Sequence, residues 1–172
     1  SNTIEKLIKP VDQNFFYNSF YLDRLIQTTR LQIGGQDVLL MNVHLEAFSE
    51  PTRALHLERV FELFEKAIHK GPTLLVGDFN EPLSLQGDSK MNSFYEDPDM
   101  GSAISIKELK SNLNDHFTFS SETPDRKIDY IFYSNKFIEA IEAKTIKQTN
   151  ALSDHLPVFM RFRLKTINSD LP

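Results

Sequence analysis

Asn42 and His44 stand two residues apart near the end of an apolar run, Asp37-Val-Leu-Leu-Met-Asn-Val-His-Leu45. Asp78 and Asn80 repeat that spacing after a second apolar run, Thr73-Leu-Leu-Val-Gly77. Residues i and i+2 of a strand share a face, so the spacing sets polar groups side by side. Asp129 interrupts the alternating segment Ile128 to Tyr133, and Asp154-His155 directly precedes a fourth segment, Leu156 to Leu164. A carboxylate inside an apolar strand is costly unless it is paired or holds a metal. Singly, each residue has a plainer reading: His44 as a satisfied histidine, Asp78-Phe-Asn80 as a turn, Asp129 as a partner of Arg126 or Lys127, Ser153-Asp154 as a loop cap. Together, at the ends of several strands, they read as one site. A histidine held by a carboxylate titrates near neutral pH and keeps a fixed tautomer, which suits acid–base work. Aspartates and an asparagine suit a hard divalent cation. His56, His69 and His116 fall outside these segments and read as structural.

The elements that position these residues are legible in part. Leu25, Gln27, Thr29, Leu31 and Ile33 alternate as a strand face, and Gly34-Gly35 suits a tight hairpin turn into the strand at 37–45. Pro51 and Thr52 open a helix whose apolar face is Leu57, Val60, Phe61, Phe64, Ala67 and Ile68. Gly71-Pro72 ends it. A strand–helix–strand order over 37–77 predicts a right-handed crossover with two parallel strands, whose C-terminal ends emerge on one side of the sheet. Residues 81–101, rich in Pro, Gly, Ser and Asp, read as a long surface loop. Ser105 to Glu108 resembles a capping box opening a short helix, and a further helix is predicted over 136–143. The aromatic cluster Phe15, Phe16, Tyr17, Phe20 and Tyr21 calls for burial.

Composition bounds the class. The 172 residues suffice for one core, and a single domain over 1–172 is expected. Lys plus Arg is 19 against 24 Asp plus Glu, a net charge of -5, which disfavours a globally basic nucleic-acid binder. Cysteine is absent, so a disulfide scaffold, a thiol nucleophile and a cysteine metal site are excluded. No apolar run approaches a membrane span.

Four strings occur in order: Leu40-Met-Asn-Val-His-Leu45, Leu74-Leu-Val-Gly-Asp-Phe-Asn-Glu-Pro82, Arg126-Lys-Ile-Asp-Tyr-Ile-Phe-Tyr-Ser134 and Leu152-Ser-Asp-His-Leu-Pro-Val158. This series resembles the endonuclease/exonuclease/phosphatase superfamily over about residues 22–164, with Leu113-Asn-Asp115 and Thr118-Phe119 fitting the same pattern. The resemblance implies an α/β (α+β) fold, a β-sandwich of mixed sheets flanked by helices. It implies hydrolysis of a phosphoester, as a phosphodiesterase, nuclease or phosphatase, with Mg²⁺ or Mn²⁺. Under it His44, Asp78, Asn80, Asp129 and His155 are catalytic and Asp78, Asn80 and Asp154 ligate the metal. Asp129 orients His155, which acts as general base or phosphate clamp.

The family's N-terminal Asn and its metal-binding Glu in a Gln-Glu context have no counterpart in this sequence. Glu46 and Glu81 do not stand in the matching position. The chain therefore resembles the C-terminal portion of a family domain, a partial sandwich. Weak Mg²⁺ binding, poor turnover or none, and self-association or a partner chain at the exposed sheet surface are expected from it. Expected substrates are a phosphorylated small molecule, a lipid headgroup or a nucleic acid, with Lys90, Arg126 and Lys127 offering phosphate contacts. The competing reading is a catalytically inactive family fragment that serves as a binding or interaction module. A doubly wound nucleotide-binding domain is a weaker third, because no Gly-rich phosphate loop follows a strand.

Overall fold

A computed structural model describes residues 1–9, 21–85, 89–147 and 152–166. The elements are β1 (Asn2–Lys6), β2 (Leu25–Ile33), β3 (Gln36–His44), α1 (Glu50–Ile68), β4 (Thr73–Asp78), α2 (Asn92–Glu96), β5 (Met100–Ser102), α3 (Ile106–Asn112), a 3-10 turn (Leu113–His116), β6 (Asp129–Ser134), β7 (Ile138–Thr145) and β8 (Val158–Leu164). They form a six-stranded sheet in the order β1-β2-β3-β4-β6-β5 and a two-stranded sheet, β7-β8. The fold is α/β, as expected: a large mixed sheet, a small sheet and few helices.

The large sheet is covered on both faces. Met41, Val43, Leu75, Tyr130 and Phe132 pack with Leu57, Val60, Phe64 and Ile68 of α1. Their strand neighbours Val38, Leu40, Leu74, Val76 and Tyr133 pack with Ile138 of β7 and Met160, Phe162 and Leu164 of β8. Alternate residues of β3 and β4 thus serve two different cores, which is why these strands read as nearly unbroken apolar runs.

Local chemistry sets the joints. Gly34 and Gly35 both have positive φ at the β2–β3 turn, as the hairpin reading requires. Ser49 caps α1 through its side chain, which accepts from the Thr52 amide, with Pro51 in the first turn. The Ser105 hydroxyl accepts from the Glu108 amide at the start of α3. β3 and β4 are parallel, as the crossover predicts. Gly77 is required where they meet: its φ is +137°, and a Cβ there would overlap the Val43 carbonyl oxygen.

Two readings need correction. The helix predicted over 136–143 is β7, paired antiparallel with β8. Its Glu, Ala and Lys residues favour a helix locally, but burial of Ile138 and cross-strand pairing decide the outcome. Glu139 meets Arg163 at 2.6 Å and Glu142 meets Arg161 at 3.2 Å. Residues 81–101 are not a plain surface loop. They include α2, whose Phe94 is buried against Phe132, and β5 at the sheet edge. β1, at the opposite edge, carried no legible strand signal. The aromatic cluster is described only at Tyr21; Phe15, Phe16, Tyr17 and Phe20 lie outside the described residues.

Candidate functional site

The register of the large sheet sets three polar residues in a row. His44 at the end of β3 pairs with Asp78 at the end of β4, and Asp78 pairs with Asp129 at the start of β6. Two carboxylates directly opposite on neighbouring strands repel. Burial pushes the Asp78 carboxyl above its usual range; the Asn80 amide opposes this, and the charge of Asp129 adds to it. His44 Nε2 lies 3.5 Å from Asp78 Oδ2 on one side.

His155 reaches the row from the loop before β8. Its Nδ1 lies 2.8 Å from Asp129 Oδ2. An ionised carboxylate only accepts, so Nδ1 carries the proton. Nε2 then faces the row, 3.9 Å from Asp78 Oδ2. Burial alone would lower the His155 pKa, but the Asp129 hydrogen bond and the charges of Asp129, Asp78 and Asp154 outweigh it and hold the pKa above the ordinary value. At His44 burial prevails, aided by Arg24, and the shift is downward.

Buried Thr118 holds this loop to the sheet. Its hydroxyl accepts from the amides of Ile128 and Asp129, at 3.2 and 3.3 Å. Its carbonyl accepts from Leu156 at 2.7 Å, and the Phe119 ring stands 5.0 Å from the His155 ring. Asn80 fastens the other side. It sits at φ +50°, a left-handed conformation that Asn tolerates. Its backbone amide donates to Asp78 Oδ1 at 2.8 Å, and its side-chain amide donates to the Leu45 carbonyl at 3.1 Å.

His44, Asp78, Asn80, Asp129, Asp154 and His155 all line one cavity of about 840 Å³. The six residues singled out from the sequence therefore converge. Ligand atoms of Asp78, Asp129 and His155 lie within 4.8 Å of one another. Asp154 lies exposed on the same wall and is outside that trio. His56 is buried on α1, where its Nε2 donates to the Ile8 carbonyl at 2.7 Å, a structural role as expected.

Several neighbours escaped the sequence reading. Arg24, just before β2, lines the cavity. Arg53 of α1 donates from Nε to Glu81 Oε2 at 2.7 Å and from a terminal nitrogen to the carbonyls of Glu46 and Ala47, both at 3.3 Å. It thus clamps the loop after β3 to the loop after β4. Glu46 is buried, and its Oε1 accepts from the amides of Phe48 and Ser49. Tyr21 is raised to about 12 by burial and by Glu46. A single sequence offers no sign that these charged residues turn inward.

Lys127, read as a phosphate contact, is instead buried. Its ammonium donates to the Asp129 carbonyl at 2.7 Å and lies 4.6 Å from the Tyr130 ring centre. Burial lowers its pKa from 10.5 to about 8, against the attraction of Asp129. The native state therefore binds fewer protons than the unfolded chain between those two values, so stability rises with pH across that window. The burial cost is felt in full below it. Denaturant titrations from pH 7.5 to 10.5 will show a gain of roughly 3 kcal/mol at most. Lys127→Met will flatten that slope; an equal slope in the variant contradicts the assignment. Lys90 lines a separate groove with Leu57, Glu58 and Phe61 of α1.

Residues 6–155 match the profile of the Endonuclease/Exonuclease/phosphatase family. A UPF0294 protein of Vibrio cholerae is 25% identical over 130 residues, which are 76% of this chain and 41% of that protein. The chain thus spans about two-fifths of the length of the curated relatives it matches. A mannosyl-6-phosphatase of Bacteroides thetaiotaomicron superposes with a TM-score of 0.64 at 19% identity, covering 83% of this chain and 58% of that one. D. rerio TDP2 complexed with a single-strand DNA product gives a TM-score of 0.65 at 15% identity, over 94% and 67% of the two chains. These two likenesses establish a shared fold.

Proposed function

The chain belongs to the endonuclease/exonuclease/phosphatase family, and on that footing we propose that it is a divalent-metal-dependent phosphoester hydrolase. The observation that carries this reading is the Asp129–His155 hydrogen bond of 2.8 Å beside Asp78. With Nδ1 held by Asp129, His155 presents Nε2 to a water molecule and takes its proton as the water attacks phosphorus. Asp129 stabilises the imidazolium that forms. Asn80 fixes the Asp78 carboxylate on both oxygens and keeps it aimed into the cavity. His44 stands on the far side of Asp78, positioned to meet the phosphoryl group or the departing oxygen.

The donor set suits a hard divalent cation. Two carboxylates and an imidazole come within 4.8 Å, and their mutual repulsion in the row is relieved by positive charge between them. Asp78 and Asp129 would hold Mg²⁺ or Mn²⁺, with Asn80 and Asp154 adjoining. Such an ion neutralises charge on the phosphoryl oxygens and acidifies water. With Nε2 of His155 reserved for the water, two carboxylates would be a thin ligand set for such an ion, so affinity is weak. Buried Glu46 is turned to the loop amides and adds nothing to that set.

A small phosphorylated substrate is favoured over duplex DNA. Backbone recognition needs free cations along a groove, and Lys90 and Lys127 are placed elsewhere. The chain corresponds to one domain, the C-terminal portion of the family unit. The far edge of β8 is unpaired among the described residues, which supports self-association. The inactive-module reading draws on the same short span.

The test is release of p-nitrophenol from p-nitrophenyl phosphate and from its bis-ester, with Mg²⁺, Mn²⁺ or EDTA. Slow turnover that needs the metal supports the reading. Metal-independent or absent release overturns it in favour of the module.

A further inference from the structure

We propose that Arg24 is a substrate-contacting residue, its guanidinium binding phosphoryl oxygens at the His44 side of the cavity and setting affinity for the phosphate group; this rests on the hydrolase reading above. Three arginines line the cavity: Arg24, Arg53 and Arg126. Arg53 is hydrogen-bonded to Glu81 at 2.7 Å, and Arg126 to Asp125 at 2.8 Å. Their charges are already matched. Arg24 differs. Its ion-pair partner is Glu46, with Nε to Oε2 at 4.0 Å, beyond hydrogen-bond reach. The Arg24 Nε is buried with no hydrogen-bond acceptor among the described residues. One terminal nitrogen rests 3.0 Å from His44 Nε2, a neutral acceptor.

A guanidinium that is only 14% exposed, with its carboxylate partner at 4.0 Å and no hydrogen bond between them, is an expensive arrangement. It becomes favourable once an anion shares it. The planar fork of Arg matches two oxygens of a phosphoryl group, and the bonds are charge-assisted. Position and support fit that role. The Arg24 carbonyl accepts from the Leu7 amide at 2.9 Å, which fixes the backbone ahead of β2. Glu46, locked by two loop amides, lies behind the guanidinium and biases it without neutralising it at contact distance. Phosphate entering beside His44 thus gains a cation on the side away from Asp129. The carboxylate row that would hold the metal lies on the other side.

The experiment is calorimetric titration of inorganic phosphate into the metal-loaded chain, with Mn²⁺ titrated separately and KM and kcat measured on p-nitrophenyl phosphate. The variants are Arg24→Gln and Arg24→Lys. The expected result for Arg24→Gln is phosphate affinity at least about tenfold weaker and KM raised to match, with Mn²⁺ affinity unchanged. Arg24→Lys keeps the charge but loses the fork, so it recovers only part of the affinity. It also serves if the glutamine variant fails to fold. Equal phosphate affinity in the variants and the parent overturns the role of Arg24 while leaving the hydrolase reading standing. A parallel loss of Mn²⁺ binding also overturns it, because Arg24 would then merely support the fold. Failure of the parent chain to bind phosphate with metal present overturns both.

Discussion

Asp78→Asn will strip the site of divalent-cation binding and at the same time raise the melting temperature. The carboxylate is mostly buried and stands directly across the strand pair from Asp129. Its pKa lies above the ordinary value, so at neutral pH the native state pays for ionising it. For an acid shifted in this direction, the stabilising contribution belongs to low pH and is lost as pH rises through the folded pKa. Asparagine is nearly isosteric, still accepts from the Asn80 backbone amide at Oδ1, gives up the longer bond from the Asn80 side chain, and carries no charge. Relief of that cost raises the melting point, at roughly 2–4 °C for each kcal/mol in a domain of this size. The same change removes a ligand from the row. Mn²⁺ affinity and hydrolysis should fall by more than the roughly 10–100-fold that loss of an outer-shell partner costs. Calorimetry with Mn²⁺ and thermal melts at pH 7 measure the two effects on one sample. A variant that binds metal normally, or melts lower than its parent, contradicts the placement.

His155→Ala and Asp129→Ala will each lower kcat by about a thousandfold, within the 10²- to 10⁴-fold range for a positioned general base. The double variant will be scarcely slower than either single one, because the hydrogen-bonded pair acts as one unit. Without Asp129, His155 loses its fixed tautomer and the carboxylate that raises its basicity. Without His155, Asp129 has no ring to orient. Initial rates for the three proteins, each at saturating metal, close the cycle. Multiplicative losses would mean that the two residues serve separate steps.

The site was more legible than the scaffold. Asp78 and Asp129 announced themselves because a carboxylate in an apolar strand has few innocent explanations. The order of the four strings then linked them to His44 and His155. Arg24, Arg53, Glu46 and Lys127 were illegible for the opposite reason. Charged residues at the ends of strands and in the first turn of a helix are ordinary surface chemistry, and only the tertiary fold turns them inward. The same distinction governs the elements. β3, α1 and β4 carry strong periodicity and appear within a residue or two of their expected bounds. β7 is built from Glu, Ala, Ile and Lys, whose local preference is helical; its strand state depends on partners supplied by β8, some twenty residues on. α2 and β5 were hidden because Phe94 and Met100 are single anchors in a polar segment.

The row His44–Asp78–Asp129 exists only at the intersection of two hydrogen-bond ladders. A slip of one residue in either ladder would flip a whole strand and send its polar group to the helix side. Catalysis therefore reports on strand alignment: a folding intermediate with the right strands in the wrong phase would be compact and silent. Recovery of activity during refolding should accordingly follow the last ladder to lock, and the pocket has no working form that precedes the finished sheet.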